Sequence, residues 1–107
     1  MASAALFRLL GDETRLRLLR VLAAEPLNVS ELTAVLGLAQ SGVSRHLGLL
    51  KDAGLVVDRA EGTRRLYAVD TRGLDELRNW LDDFWDEALA AFKEAAEEEA
   101  ARERKRR

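Results

Sequence analysis

The last third of the chain follows a single heptad register. From Leu74 onward the apolar positions are Leu74, Leu77, Leu81, Phe84, Ala88, Ala91 and Ala95, spaced alternately three and four residues apart, the spacing that keeps one seam turned toward a partner helix. Trp80, Trp85, Leu89 and Phe92 widen that seam. The pattern predicts a helix of roughly 25–30 residues, about 40 Å long at 1.5 Å per residue. A chain of 107 residues has room for one core and no second domain, so it cannot cover such a helix along its whole length. Left bare, the seam is an apolar patch of the kind that marks an interface, and a second copy of the chain is the expected partner. The dimerisation residues expected on this basis are Leu74, Leu77, Trp80, Leu81, Phe84, Trp85, Ala88, Leu89 and Phe92. For the aromatic residues Trp80, Phe84, Trp85 and Phe92 a ligand pocket between subunits is the other reading, since sensing domains place ligands between helices.

The remaining residues, 1–70, are punctuated by glycine and proline, and one period dominates between each pair of breaks. Ala4 to Leu10 reads as a short helix stopped by Gly11. Asp12 is placed to cap the next, in which Leu16, Leu19 and Val21–Leu22 recur at helical spacing before a stop near Glu25–Pro26. Ser30 is expected to cap a third helix with Leu32, Val35 and Leu36 on its apolar face and Gly37 as a left-handed stop. Ser41 is expected to cap a fourth, residues 41–53, with Val43, Leu47 and Leu50 in one stripe. Two short helices joined by a tight glycine-containing turn are the helix-turn-helix signature. After Gly54 the period changes to two: Leu55–Arg59 and Arg64–Val69 read as strands joined by the loop Ala60–Thr63, so residues 55–69 form a hairpin or wing. Thr71 is placed to cap the long final helix. The fold class is therefore mainly α with a small β-hairpin, a winged helix-turn-helix in residues 1–70 followed by a long C-terminal dimerisation helix in 71–107.

Composition removes several chemistries. There is no cysteine and only one histidine, which excludes disulfides, thiolate metal sites and cysteine nucleophiles and leaves no set of histidine ligands within one chain. No Gly-x-Ser-x-Gly elbow or glycine-rich phosphate loop is present, and the expectation is a protein that is not an enzyme and uses no cofactor. No stretch approaches the about 18–20 apolar residues that span a bilayer, and no basic segment followed by an apolar run opens the chain; the expected location is the cytoplasm. The net charge is −2, unevenly spread: residues 1–70 hold nine Lys or Arg against eight Asp or Glu, whereas Gly73–Ala100 holds ten acids against Arg78 and Lys93. Phosphate repels that acidic stretch, so any nucleic acid is met by the first 70 residues.

Within those residues the fourth helix is the informative element. With its stripe turned inward, Ser41, Arg45, Gly48 and Asp52 point outward and Ser44 lies at their edge. Small residues allow close approach to DNA, the serines can donate to phosphates or base edges, and Arg45 can reach a guanine with two hydrogen bonds. A plain solvated face is the alternative. In the wing, Arg64 is the first choice for a minor-groove or phosphate contact, against an ordinary charged edge that resists strand pairing. His46, on the helix flank, reads as a half-buried histidine hydrogen-bonded to backbone, with a phosphate contact or pH sensor as the alternative.

The stretches D-E-T-R-L-R-L-L-R-V-L (Asp12–Leu22), V-S-E-L-T-A-V-L-G-L-A-Q-S-G-V-S-R-H-L-G-L-L-K-D-A-G-L-V (Val29–Val56) and E-G-T-R-R-L-Y (Glu61–Tyr67) resemble the ArsR family of winged-helix repressors. The resemblance runs from about Leu6 to Val69. It implies a two-fold dimer whose fourth helix reads the major groove and whose wing reaches the minor groove of double-stranded DNA, with contacts from Gln40, Ser41, Ser44, Arg45 and Arg64. Arsenite-sensing members carry the motif L-C-V-C-[DE]-L, but here Asn28 and Ser30 stand where the thiols would be. Other members bind zinc between their last helices through Asp and His; this final helix has no His, and Asp82, Asp83, Asp86 and Glu87 read as a solvated acidic face, so no metal is expected. The functional expectation is a homodimeric, sequence-specific regulator, a repressor on a pseudo-palindromic operator, with an unidentified small-molecule effector left open. The rival is an N-terminal interaction module of a longer protein, such as a methyltransferase fusion.

Overall fold

Residues 2–106 are described by a computed structural model. The elements follow the expected order: α1 (Ala2–Leu10), α2 (Glu13–Ala24), α3 (Val29–Leu36), α4 (Gln40–Asp52), the strands β1 (Val56–Glu61) and β2 (Arg64–Val69), and α5 (Thr71–Arg106). The chain falls into two units, Met1–Leu77 and Arg78–Arg107.

Helix starts are where local reading and structure part. Asp12 caps α2 as expected, its carboxylate accepting from the Arg15 backbone N–H at 3.1 Å. For α3 the cap is Asn28, not Ser30. The Asn28 side chain accepts from the Glu31 N–H at 2.8 Å while the Glu31 carboxylate takes the Asn28 N–H at 3.0 Å. Such a reciprocal box satisfies two of the helix's orphan donors where a lone serine would satisfy one. At α4 the cap residue is Ala39, with no side-chain cap bond, so Ser41 sits inside the first turn. Asp70 accepts from the Arg72 N–H at 3.1 Å, which makes Thr71 the first residue of α5 and not its cap.

The core gathers Leu18 and Leu22 of α2, Leu32 and Leu36 of α3, Val43, Leu47 and Leu50 of α4, and Leu6, Leu27, Leu55 and Val56. Two residues expected on apolar faces lie outside it: Leu16 and Val35 are 49% and 59% exposed. Leu18, two residues from Leu16 and so on the opposite side of α2, takes the central place, and the two-turn α3 packs Val29, Leu32 and Leu36 against the core.

The strands pair antiparallel from Val56↔Val69 to Glu61↔Arg64. Gly62 and Thr63 alone form the turn, two residues shorter than the expected loop. Gly62 has φ 64° and, among the described residues, no non-glycine residue has positive φ, the pattern of a type II′ turn that matches strand twist. Leu27, between α2 and α3, exchanges two backbone hydrogen bonds with Tyr67 at 2.9 and 3.1 Å, so the wing is stitched to the helical body through the other edge of β2.

Leu74 packs against the core, and Leu77 is half-buried. At 36 residues α5 outruns the expected 25–30. The extension consists of strong helix formers, carries a Glu99–Arg102 pair at 2.8 Å, and ends on Arg104, Lys105 and Arg106 at the negative pole of the helix dipole.

Candidate nucleic-acid interface

The turn Gly37–Ala39 aims α4. Gly37 adopts φ 67°, a left-handed conformation that costs glycine little, and its N–H closes α3 on the Thr33 carbonyl at 2.9 Å. With Val43, Leu47 and Leu50 buried beneath it, α4 turns Gln40, Ser41, Ser44, Arg45 and Gly48 to solvent. A Cβ built on Gly42 or Gly48 meets nothing within 4 Å, so neither glycine is needed for packing. Among the described residues the side chains of Ser41, Ser44 and Arg45 have no hydrogen-bond or ion-pair partner. The structure thus brings four of the five expected DNA-contacting residues onto one exposed helix face.

The fifth, Arg64, is exposed near the wing tip but is not free: its Nη2 donates to Glu31 Oε1 of α3 at 2.6 Å. The other wing arginines are paired as well. Arg59 meets Glu61 at 3.6 Å, and Arg65 donates to Asp58. Asp58 also accepts from Lys51, at the end of α4, at 2.8 Å. Its side chain is 7% exposed, and the hydrogen bonds from Lys51 and then Arg65 hold its carboxyl below the ordinary aspartate value of 3.8. This carboxylate ties α4 to the wing. Neither Asp58 nor Glu31 stands out as a functional residue in the sequence, although the Asn28-x-x-Glu31 spacing is a legible capping-box signal.

His46 is half-buried as expected, but its neighbour is a side chain and not backbone: Arg15 Nη1 lies 3.3 Å from its Nδ1. Arg15 also donates through Nε to the Leu9 carbonyl, so one guanidinium joins the end of α1, the start of α2 and the flank of α4. Asp12, beside it, is held below the ordinary aspartate pKa chiefly by the Arg15 backbone N–H.

Of the residues expected at the dimer seam, Leu74 and Leu77 are half-buried. Trp80, Leu81, Phe84, Trp85, Ala88, Leu89 and Phe92 are exposed, with Phe92 at 73%. The Trp80 and Phe84 rings stack with centroids 5.4 Å apart. Among the described residues no three His, Asp or Glu side chains form a group that could hold a metal ion, and no helix is long and apolar enough to cross a membrane.

A family described as a helix-turn-helix domain matches residues 10–59. The chain is 44% identical over 90 residues to the HTH-type transcriptional regulator Rv2034 of Mycobacterium tuberculosis, covering 84% of each chain. It superposes with a TM-score of 0.74 on an ArsR-like transcriptional regulator from Rhodococcus sp. RHA1, at 31% identity over 88% of this chain and 89% of that one. A TM-score of 0.63 relates it to the homodimeric winged helix-turn-helix DNA-binding domain of Mb0332 from Mycobacterium bovis, a possible ArsR-family regulator, at 30% identity over 78% of each. The small outward face of α4, the stitched wing and these likenesses agree, and the chain belongs to the ArsR family of winged helix-turn-helix transcriptional regulators.

Proposed function

We propose that the protein is a cytoplasmic, homodimeric repressor that acts by occupying a pseudo-palindromic operator and not by catalysis. In this reading residues 1–70 bind DNA and 71–107 dimerise. Gln40, Ser41, Ser44 and Arg45 enter the major groove, and Arg64 approaches the minor groove from the wing. The observation that carries it is the exposed face of α4, where Arg45, unlike Lys51 of the same helix, has no acidic partner among the described residues. A guanidinium with all its donors available suits bidentate contact with a guanine. The exposed seam from Leu81 to Phe92 supports the dimer, whose two-fold axis would set the paired α4 helices about 34–36 Å apart, one groove repeat.

Selection of bound fragments from genomic DNA, followed by a shift assay, tests this reading. An inverted repeat with half-sites one helical turn apart is expected. Arg45→Ala should cost about 1–3 kcal/mol on that site and relax preference at one base pair. Equal weakening on every sequence would make Arg45 a phosphate anchor instead. A monomer in sedimentation at micromolar concentration would remove the dimer from the proposal.

A further inference from the structure

The three wing arginines are paired in different ways, and only Arg64 pairs with a residue outside the wing. Arg65 donates to the nearly enclosed Asp58, which Lys51 also holds. Arg59 pairs with Glu61 two residues away on its own strand. Arg64 instead reaches across to α3, where both partners are in solvent: its side chain is 52% exposed and that of Glu31 is 40% exposed. Exposed pairs of this kind are weak and screened by salt.

Glu31 Oε1 serves two donors at once. It accepts the Asn28 N–H at 3.0 Å as the return half of the α3 capping box, and it accepts Arg64 Nη2 at 2.6 Å. The capping bonds do not depend on Arg64, so the ion pair can open without unwinding the start of α3. A phosphate oxygen can then replace the carboxylate oxygen on the guanidinium, because both anions accept the paired N–H groups of arginine.

We propose that Glu31 is a positioning residue of the wing: it parks Arg64 against the cap of α3 in the DNA-free protein, and DNA engagement exchanges the Glu31 carboxylate for a backbone phosphate. Glu31 thereby lowers affinity for all DNA and restrains the wing until a phosphate is in place. This rests on the reading of Arg64 as a DNA contact.

A double-mutant cycle on the full chain tests both statements separately. Glu31→Gln keeps the capping box, which accepts Gln as well as Glu at this position, and removes only the charge. Its melting temperature should match wild type, and its affinity for an arbitrary duplex should rise about two- to five-fold, the range expected for losing a competing exposed pair. Arg64→Gln should weaken binding and reduce the slope of log affinity against log salt by about 0.9, one phosphate's worth. In the Arg64→Gln background the Glu31→Gln gain should vanish. If the gain persists there, Glu31 repels DNA on its own account and the parking role is overturned. If Glu31→Gln weakens binding while Arg64→Gln also weakens it, Arg64 contacts DNA but Glu31 supports that contact instead of competing with it. If Arg64→Gln leaves both affinity and salt slope unchanged, the wing reading itself fails, and the parking role with it.

Discussion

Gly73→Ala is the substitution on which two opposing effects can be weighed most directly. Gly73 lies in the first turn of α5, where alanine is favoured over glycine by about 1 kcal/mol in helix propensity. Propensity alone therefore predicts stabilisation. The structure predicts the reverse, because a Cβ on Gly73 would sit 1.9 Å from the Gly54 carbonyl oxygen, 2.6 Å from its carbon and 3.2 Å from Leu55 Cα. Side-chain carbons essentially never approach other atoms within 3.0 Å, so α5 or the α4–β1 turn would have to retreat by more than 1 Å. Neither can do so freely. Gly54 is held at φ 78° with its N–H on the Lys51 carbonyl at 3.0 Å; Leu55 is fully buried, donates to the Leu50 carbonyl at 3.0 Å and accepts the Asp70 N–H at 2.9 Å. Overpacking against yielding side chains costs about 1–3 kcal/mol and occasionally more, and a clash with backbone belongs at the upper end of that range. After the propensity gain is subtracted, a net loss of about 1–2 kcal/mol is expected, which lowers the melting midpoint by about 5–15 °C for a domain of this size. Thermal unfolding followed by far-ultraviolet circular dichroism reads this directly. A Gly73→Ala protein melting at or above wild type would mean that helix propensity prevails and the backbone of α5 does not approach Gly54 so closely.

Gly48→Ala is the complementary case: it lies on the exposed face of α4 with nothing within 4 Å of an added Cβ. Folding stability should rise by about 0.5–1 kcal/mol while affinity for the operator falls, a dissociation that separates a groove-facing helix from a merely solvated one; unchanged affinity would count against α4 as the reading element. Asp58 predicts an acid limb. Its pKa lies below the ordinary 3.8, so its pairing with Lys51 and Arg65 contributes fully above that pH and is lost as pH falls through the lower folded value. Asp58→Asn should be less stable than wild type at neutral pH, and the difference should narrow as acid is added below about pH 4; a constant difference across that window would show that the charge is not what matters.

Elements set by neighbours in the chain are legible from residue order alone. The Asp12 cap, the left-handed stop at Gly37, the stripe of Val43, Leu47 and Leu50 and the two-residue period of the wing all depend on residues within a turn or a strand of one another. The exposed face of α4 is equally readable, because burying one side of a helix decides what the other side presents. Competing local signals are less so. Asn28 and Ser30 can both cap, and Glu31 settles the choice by answering Asn28.

From the sequence itself come the order of elements, the candidate reading face, the absence of the cysteine sensor and the expectation of a partner along the final helix, since periodicity and residue chemistry are properties of a stretch of chain. Tertiary structure alone decided that Arg64 is held by a carboxylate 33 residues away, that Asp58 bolts α4 to the wing, that Leu18 and not Leu16 enters the core, and that Gly73 must be glycine to pass Gly54. Contacts between distant segments depend on where folding places whole elements relative to one another, and no pattern confined to either segment encodes that distance.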